Sequence, residues 1–246
     1  MPDCSACSLF QIESHNQDCL HVNRPGRLEL TRKAVAASQL PAGSTVLDAA
    51  CGTGATLDFL ERQMGLRAVG VDLSRSMLTK SIQQHLKTGV QASCLHLPLP
   101  AAYLDAVLME CALSLSGDLA TSLHEFRRVL RPGGSLIVTD LYIREGFDTT
   151  SASCSLPASS CLAGARSEAY IRQQVEKAGF QITTWQDETF AFKEWLARMV
   201  FKLGSLQEVY RRMVSCDEDA ECLAKTLGSN LKLGYYRLTA QKSTAT

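Results

Sequence analysis

Apolar and polar residues alternate along the chain in blocks that predict strands followed by helices. Short apolar runs indicate strands at 45–50, 67–73, 90–97, 104–111, 135–142, 180–188 and 231–242. Apolar residues recur at helical spacing at 27–40, 55–64, 74–86, 119–130, 167–179 and across 190–228. This alternation predicts βαβ units, so we expect an α/β fold with a Rossmann-like, mostly parallel sheet and helices on both faces.

The same pattern predicts how the chain is organised. Residues 1–25 form a polar head that contains cysteines, and residues 26–246 form one domain with a late helical insertion at 190–228. Ser74 is typical of a helix N-cap, and the sequence RPGG at 131–134 favours the end of a helix. The Ser- and Ala-rich segment 146–165 predicts looser structure.

Composition narrows the class of protein. Lys plus Arg and Asp plus Glu are equal at 25 each, so we expect no nucleic-acid partner. No apolar run approaches the ~20 residues of a membrane span, and the N-terminus lacks a basic start before an apolar core. We therefore expect a cytoplasmic protein whose ten cysteines are mostly reduced. Nothing in the sequence predicts its oligomeric state.

The stretch VLDAACGTG at 46–54 predicts a ligand site, because a strand ends in a carboxylate before a small-residue loop and a helix. Asp48 ends the first strand and Asp72 ends the second, where a carboxylate can accept both hydroxyls of a ribose. A dinucleotide loop would carry a third glycine where this chain has Leu57, and a pyrophosphate would lie against Asp48. The charges favour a cationic adenosine derivative.

Four stretches in this order resemble the motifs of class I S-adenosylmethionine-dependent methyltransferases. They are VLDAACGTG, VGVDLS, LHLPLPAAYLDAVLMECALSL and RRVLRPGGSLIVTDLY. The resemblance implies a seven-stranded sheet whose last strand is antiparallel, S-adenosylmethionine as cofactor and in-line methyl transfer to a small molecule. It implies these cofactor-binding residues: Asp48, Ala50, Cys51, Gly52, Thr53, Gly54, Asp72, Leu73, Ser93, Cys94 and Glu110.

The resemblance also distributes roles within that set. It puts Asp48, Gly52 and Gly54 around the methionine part, and Ser93 and Cys94, at the end of the third strand, beside the adenine. Glu110 is the candidate polar group that faces the substrate. Two positions depart from the family pattern, because Ala50 replaces a glycine and Ser93 replaces an aspartate. We expect an ordinary backbone φ at Ala50, since a positive φ would strain alanine.

The motifs leave the methyl acceptor open. ECALSL at 110–115 lacks the Asn/Asp-Pro-Pro-aromatic signature of amide or adenine amino methylation. SCLAGARSEAYIRQQVEKAGF resembles a segment of arsenite methyltransferases in which a cysteine binds trivalent arsenic, and Cys161 matches it. We expect a small organic acceptor, with a thiophilic metalloid as the alternative. Partner thiols for a metalloid would come from Cys111, Cys154, Cys216 and Cys222.

The cysteine-containing head, residues 1–25, raises the questions of a metal site and of a different class of function. Cys4, Cys7 and Cys19, with His15 and His21, resemble zinc-ligand spacing but lack a second paired motif, so we expect no metal there. A non-catalytic S-adenosylmethionine-binding accessory protein that uses this head is the competing class of function.

Overall fold

The computed structural model describes residues 22–84, 87, 89–144, 161–213 and 233–244. Within these ranges seven strands form one sheet in the order β3-β2-β1-β4-β5-β7-β6. The strands are β1 (Thr45–Asp48), β2 (Arg67–Asp72), β3 (Val90–Gln91), β4 (Leu104–Glu110), β5 (Leu130–Ile143), β6 (Phe180–Asp187) and β7 (Leu233–Lys242).

Strand direction confirms the expected topology. β1 pairs in parallel with β2 and β4, β2 with β3, and β4 with β5. β7 lies between β5 and β6 and runs antiparallel to both. The Rossmann-like fold class and the antiparallel last strand are therefore confirmed, and the parallel strands bring their carboxyl ends to one edge of the sheet.

Helices link these strands. They are α1 (Arg27–Ala37), α2 (Ala55–Met64), α3 (Arg75–Gln83), α4 (Leu119–Val129), α5 (Cys161–Gly164), α6 (Glu168–Lys177), α7 (Thr189–Leu203) and α8 (Leu206–Met213), with a 3₁₀ turn at Leu113–Leu115. The Ser74 hydroxyl accepts the N–H of Met77, which confirms this N-cap. No helix in the described ranges is long and apolar enough to cross a membrane.

The sheet is buried on both faces between separate apolar clusters. Leu57, Leu60 and Leu108 belong to one cluster, and Phe126 and Leu136 to another. All four residues of β1 are buried. A carboxylate at the end of this strand, Asp48, is therefore removed from water by the fold itself.

Two predictions about strands were wrong. The third strand ends at Gln91, because the chain then turns: the Ser93 hydroxyl accepts the N–H of Leu95. Ser93 and Cys94 thus follow β3 in a turn and do not end the strand. The fifth strand was predicted from residue 135 but begins at Leu130, directly after α4 ends at Val129 as RPGG indicated, and Gly133, with φ 74°, lies in an irregular stretch of β5.

Helix ends differ from the predictions by a few residues. α1 stops at Ala37, three residues short of the predicted end, and Gln39 then has a positive φ of 49°. α3 ends at Gln83, whereas the prediction continued to 86. The predicted insertion is helical over α7 and α8, and its remainder from 214 to 228 lies outside the described residues.

Candidate functional site

The loop after β1 begins at Asp48 and reaches Gly54, the N-cap of α2. Gly52 and Gly54 have positive φ values of 52° and 81°. A Cβ at Gly54 would lie 1.8 Å from the carbonyl oxygen of Lys87, so glycine is required there. Ala50 is not among the residues with positive φ, which confirms the expectation of an ordinary backbone. The loop therefore presents bare backbone at the carboxyl edge of the sheet.

Asp72 is fixed against this loop. Its Oδ2 accepts the N–H of Gly52 at 2.7 Å, and its Oδ1 accepts the N–H of Ser74 at 2.8 Å. Burial raises the pKa of Asp72, and these two hydrogen bonds oppose the rise. Leu73, the next residue, is 49% exposed beside it. The carboxylate is held in one orientation and retains lone pairs for a further donor.

Cys51 and Thr53 have different surroundings within the loop. Cys51 is buried, and a Cβ at Gly70 or Gly89 would lie 2.8 or 2.6 Å from its sulfur. Burial and the nearby Asp48 raise the pKa of the Cys51 thiol, so it packs as a neutral group. Thr53 is half-buried.

Asp48 and Glu110 end adjacent parallel strands. Asp48 is in register with Leu108, so Glu110, two residues further along β4, points to the same face of the sheet. Both carboxylates are buried, at 3% and 8% exposure. Burial, together with the nearby Glu110, raises the pKa of Asp48 to about 7, although Arg24 opposes the rise. Two buried acids therefore share one region of low dielectric.

Arg24, from the segment that precedes α1, lies between α1, α2 and β4. Its Nη2 forms a short ion pair with Glu110 and donates to the hydroxyls of Thr31 at 2.6 Å and Thr56 at 3.2 Å. Thr31 in turn donates to Glu110 Oε1 at 2.9 Å. The Nε of Arg24 is buried and has no hydrogen-bond partner within the described residues. Glu110 is thus engaged by α1 and its preceding segment, an arrangement that sequence reasoning missed.

The segment that precedes α1 also contacts helix α7. Asn23 accepts a hydrogen bond from the indole Nε1 of Trp195 in α7 at 3.1 Å. Residues 23 and 24 consequently connect β4 with α7 across the sheet edge. Neither contact has a local sequence signal, since partners lie 86 and 172 positions apart.

Cys111 and Cys161, the thiols considered for a metalloid, lie in one buried apolar cluster with Trp195. Helix α5 packs against the 3₁₀ turn at 113–115, and a Cβ at Gly164 would lie 1.7 Å from Ser114 oxygen. The close approach explains the glycine of the Cys161 motif. It also places Cys161 near the turn that follows Cys111.

Of the remaining candidates from the sequence, Cys94 lies within the described residues and most of the others do not. Cys94 is half-buried with its sulfur 3.7 Å from the Ser122 hydroxyl of α4. The following candidates lie outside the described residues: Cys4, Cys7, Cys19, His15, His21, Cys154, Cys216 and Cys222. Within the described ranges no three His, Cys, Asp or Glu side chains are grouped to hold a metal ion.

Comparison with known proteins gives consistent results. Residues 47–138 match the family described as "Methyltransferase domain". The C-methyltransferase UbiE of ubiquinone and menaquinone biosynthesis from Syntrophotalea carbinolica is 37% identical over 125 residues, which are 48% of this chain and 51% of that protein. Arsenite methyltransferase from Halobacterium salinarum is 25% identical over 164 residues, 62% of this chain and 42% of that protein.

A solved structure shares the fold. Phosphoethanolamine N-methyltransferase 2 of Haemonchus contortus, in complex with S-adenosyl-L-methionine, matches with a TM-score of 0.70 at 18% identity, over 92% of this chain and 55% of that one. The chain spans about half the length of the curated relatives it matches. Residues 47–138 therefore match a methyltransferase domain, and the order of the motifs and the sheet topology agree with that match.

Proposed function

We propose that this protein is a cytoplasmic enzyme that transfers the methyl group of S-adenosylmethionine to a small molecule. The observation that carries the proposal is the meeting of Asp48, the Gly52–Gly54 loop, Asp72 and Glu110 at the carboxyl ends of β1, β2 and β4. These strands lie within the segment that matches the methyltransferase family.

The chemistry of these residues fits the cofactor. Gly54 is packed against the Lys87 carbonyl, whereas a Cβ at Gly52 would meet only the Met77 side chain at 3.5 Å, so the proposed ligand would approach the loop backbone at Gly52. Asp72 would accept hydrogen bonds from the ribose hydroxyls, and Asp48 supplies negative charge beside the loop for the cationic methionine part. Cys51, Thr53, Ala50 and Leu73 would line the loop, with Ser93 and Cys94 toward the adenine.

Bound S-adenosylmethionine supplies an already activated methyl group, so the protein needs mainly to align the acceptor and exclude water. Arg24, Thr31 and Thr56 bury Glu110 under α1, which keeps solvent from this end of β4. Trp195 of α7 is 4% exposed and holds the segment at Asn23 in place. These residues are proposed as walls of the reaction space.

The acceptor class has two candidates. A small organic molecule is favoured, because the described residues bring together only two thiols, Cys111 and Cys161, next to an apolar wall. The alternative is a thiophilic metalloid, and the observation behind it is that Cys111 and Cys161 belong to the same buried cluster. A non-catalytic cofactor-binding protein is the third possibility, and turnover separates it from both.

Calorimetric titration with S-adenosylhomocysteine tests the proposal. We expect micromolar binding that Asp72→Ala weakens at least about 30-fold, because the ribose loses a carboxylate partner. Glu29→Ala is the control, since Glu29 is 65% exposed and pairs with Arg32 on the solvent side of α1. Wild-type protein that binds neither cofactor form would overturn the proposed function.

The same titration, repeated with arsenite, separates the acceptor classes. Arsenite binding that is coupled to the cofactor and lost in Cys161→Ser would favour the metalloid. If Cys161→Ser keeps both arsenite binding and its coupling to the cofactor, Cys161 does not contact the substrate.

A further inference from the structure

The charged groups around the end of β1 do not balance. Asp48 and Glu110 are two buried carboxylates, and Arg24 is the only cation among the groups that shift the pKa of Asp48 within the described part of the chain. The Arg24 and Glu110 side chains are only 11% and 3% exposed, so solvent screens them weakly. With both acids ionised, these three groups carry one net negative charge, to which the nearby Asp72 carboxylate adds.

The two forms of the cofactor differ by one charge. S-adenosylmethionine carries a carboxylate, an ammonium and a sulfonium, and is therefore a net monocation. S-adenosylhomocysteine has a neutral thioether and no net charge. In a buried region, a site with one net negative charge favours the first form over the second.

We propose that Arg24 is a specificity-determining residue of the cofactor site: by pairing with Glu110 it leaves the charge of Asp48 to distinguish the cationic substrate form from the neutral product. This inference rests on the proposed function. Arg24 acts through Glu110. Its positive charge offsets that of Glu110 and so limits how strongly the site prefers the cationic cofactor over the neutral product.

The geometry makes this role specific to Arg24. Its Nη2 joins Glu110, Thr31 and Thr56 at one point, where three elements converge. Thr31 donates to both oxygens of Glu110, at 2.9 and 3.2 Å, so the acid keeps polar partners when the guanidinium is removed. Asp72, on β2, also acts on the pKa of Asp48. The two acids also act on buried neighbours: Glu110 contributes to the raised pKa of Tyr235 on β7, and Asp48 to that of Cys51.

The quantity to measure is the preference ratio, the Kd of S-adenosylhomocysteine divided by the Kd of S-adenosylmethionine, by calorimetry at pH 6.5 and pH 7.5. Arg24→Gln leaves Glu110 without its cation, and we expect the ratio to rise about tenfold at pH 7.5 and less at pH 6.5, because burial raises the pKa of Glu110. Glu110→Gln leaves Arg24 unpaired, and the ratio should fall about tenfold. The double variant should return it to the wild-type value.

Arg32→Gln is the matched control, because it removes the same charge from the exposed side of α1, where Arg32 pairs with Glu29. A ratio that changes less than twofold in both single variants overturns the inference, as does a double variant that keeps the shift of Arg24→Gln. If Arg24→Gln binds neither ligand, Glu110→Gln decides alone, and an unchanged ratio there is a refutation. Loss of wild-type binding to both ligands would instead refute the proposed function.

Discussion

Asp48 and Asp140 are two buried carboxylates on strands of the same sheet, but they are stabilised very differently. Asp140, 1% exposed, accepts the N–H of Ser114 at 2.7 Å, its hydroxyl at 3.0 Å and the N–H of Leu141 at 2.7 Å. Asp48, 3% exposed, accepts only a 3.4 Å hydrogen bond from Ala50 among the described contacts. Burial raises the pKa of Asp140 to about 6 and that of Asp48 to about 7.

The difference separates a structural acid from a functional one. The hydrogen bonds of Asp140 fix the 3₁₀ turn against which α5 packs, so its negative charge is used within the protein. Asp48 is buried with few donors, which the fold tolerates at a cost in stability. A buried acid with unused acceptor capacity beside a glycine loop is suited to a cationic ligand.

Asp140→Asn should have the largest effect and should act on stability. The amide NH₂ of the new Asn side chain would face the Ser114 and Leu141 N–H groups, which are themselves donors. We therefore expect the free energy of unfolding to fall by about 3 kcal/mol and the Tm by roughly 6–12 °C. Urea and thermal unfolding check this, with Glu29→Gln as a surface control expected within about 0.5 kcal/mol, because Glu29 is 65% exposed. A loss below about 1 kcal/mol would mean that the turn is held by its apolar packing.

Asp48→Asn should instead weaken ligand binding without destabilising the protein. The variant keeps the shape of the side chain and removes its charge, so S-adenosylmethionine affinity should fall about 30-fold while the free energy of unfolding at pH 8 is unchanged or higher. Calorimetry and urea unfolding on the same preparation measure both. Unchanged affinity would show that Asp48 is as structural as Asp140.

The pH dependence of stability gives the smallest but most direct comparison. A carboxyl group whose pKa is raised on folding stabilises the protein below its unfolded pKa, and this contribution is lost as pH rises through the folded pKa. For Asp48 the loss runs from about pH 4 to above pH 7, and for Asp140 to above pH 6. Asp48→Asn should therefore exceed wild type in stability more at pH 8 than at pH 5, by on the order of 1–2 kcal/mol. Equal differences at the two pH values would contradict a raised pKa.

Local patterns were sufficient to predict the strand ends that carry Asp48 and Asp72. Apolar runs and the glycine loop are features of neighbouring residues, so the fold class and the loop could be read from them. The contact of Gly54 with Lys87 is different, because Lys87 lies beyond α3 and only the folded structure shows that it excludes a side chain at this position.

Arg24 could not be predicted in the same way. A single arginine before a helix is ordinary, and its partner Glu110 lies 86 residues away, so only the folded topology reveals the ion pair. The turn at Ser93 was missed because VQASCLHL has the apolar content of a strand, whereas a side-chain hydrogen bond to Leu95 bends it. Sequence patterns predicted where backbone groups meet and not which side chains neutralise one another.

The position of β7 has a consequence for biosynthesis. β5 and β6 do not touch directly, because β7, at residues 233–242, is hydrogen-bonded between them. On the ribosome, β6 therefore has no partner strand in this sheet until that late segment has been translated and has left the exit tunnel. Until then the flank of β5 is an open edge, the kind of surface that chaperones bind and that aggregates seed from. The nascent chain is thus most vulnerable after β6 has emerged and until β7 has followed it out of the tunnel.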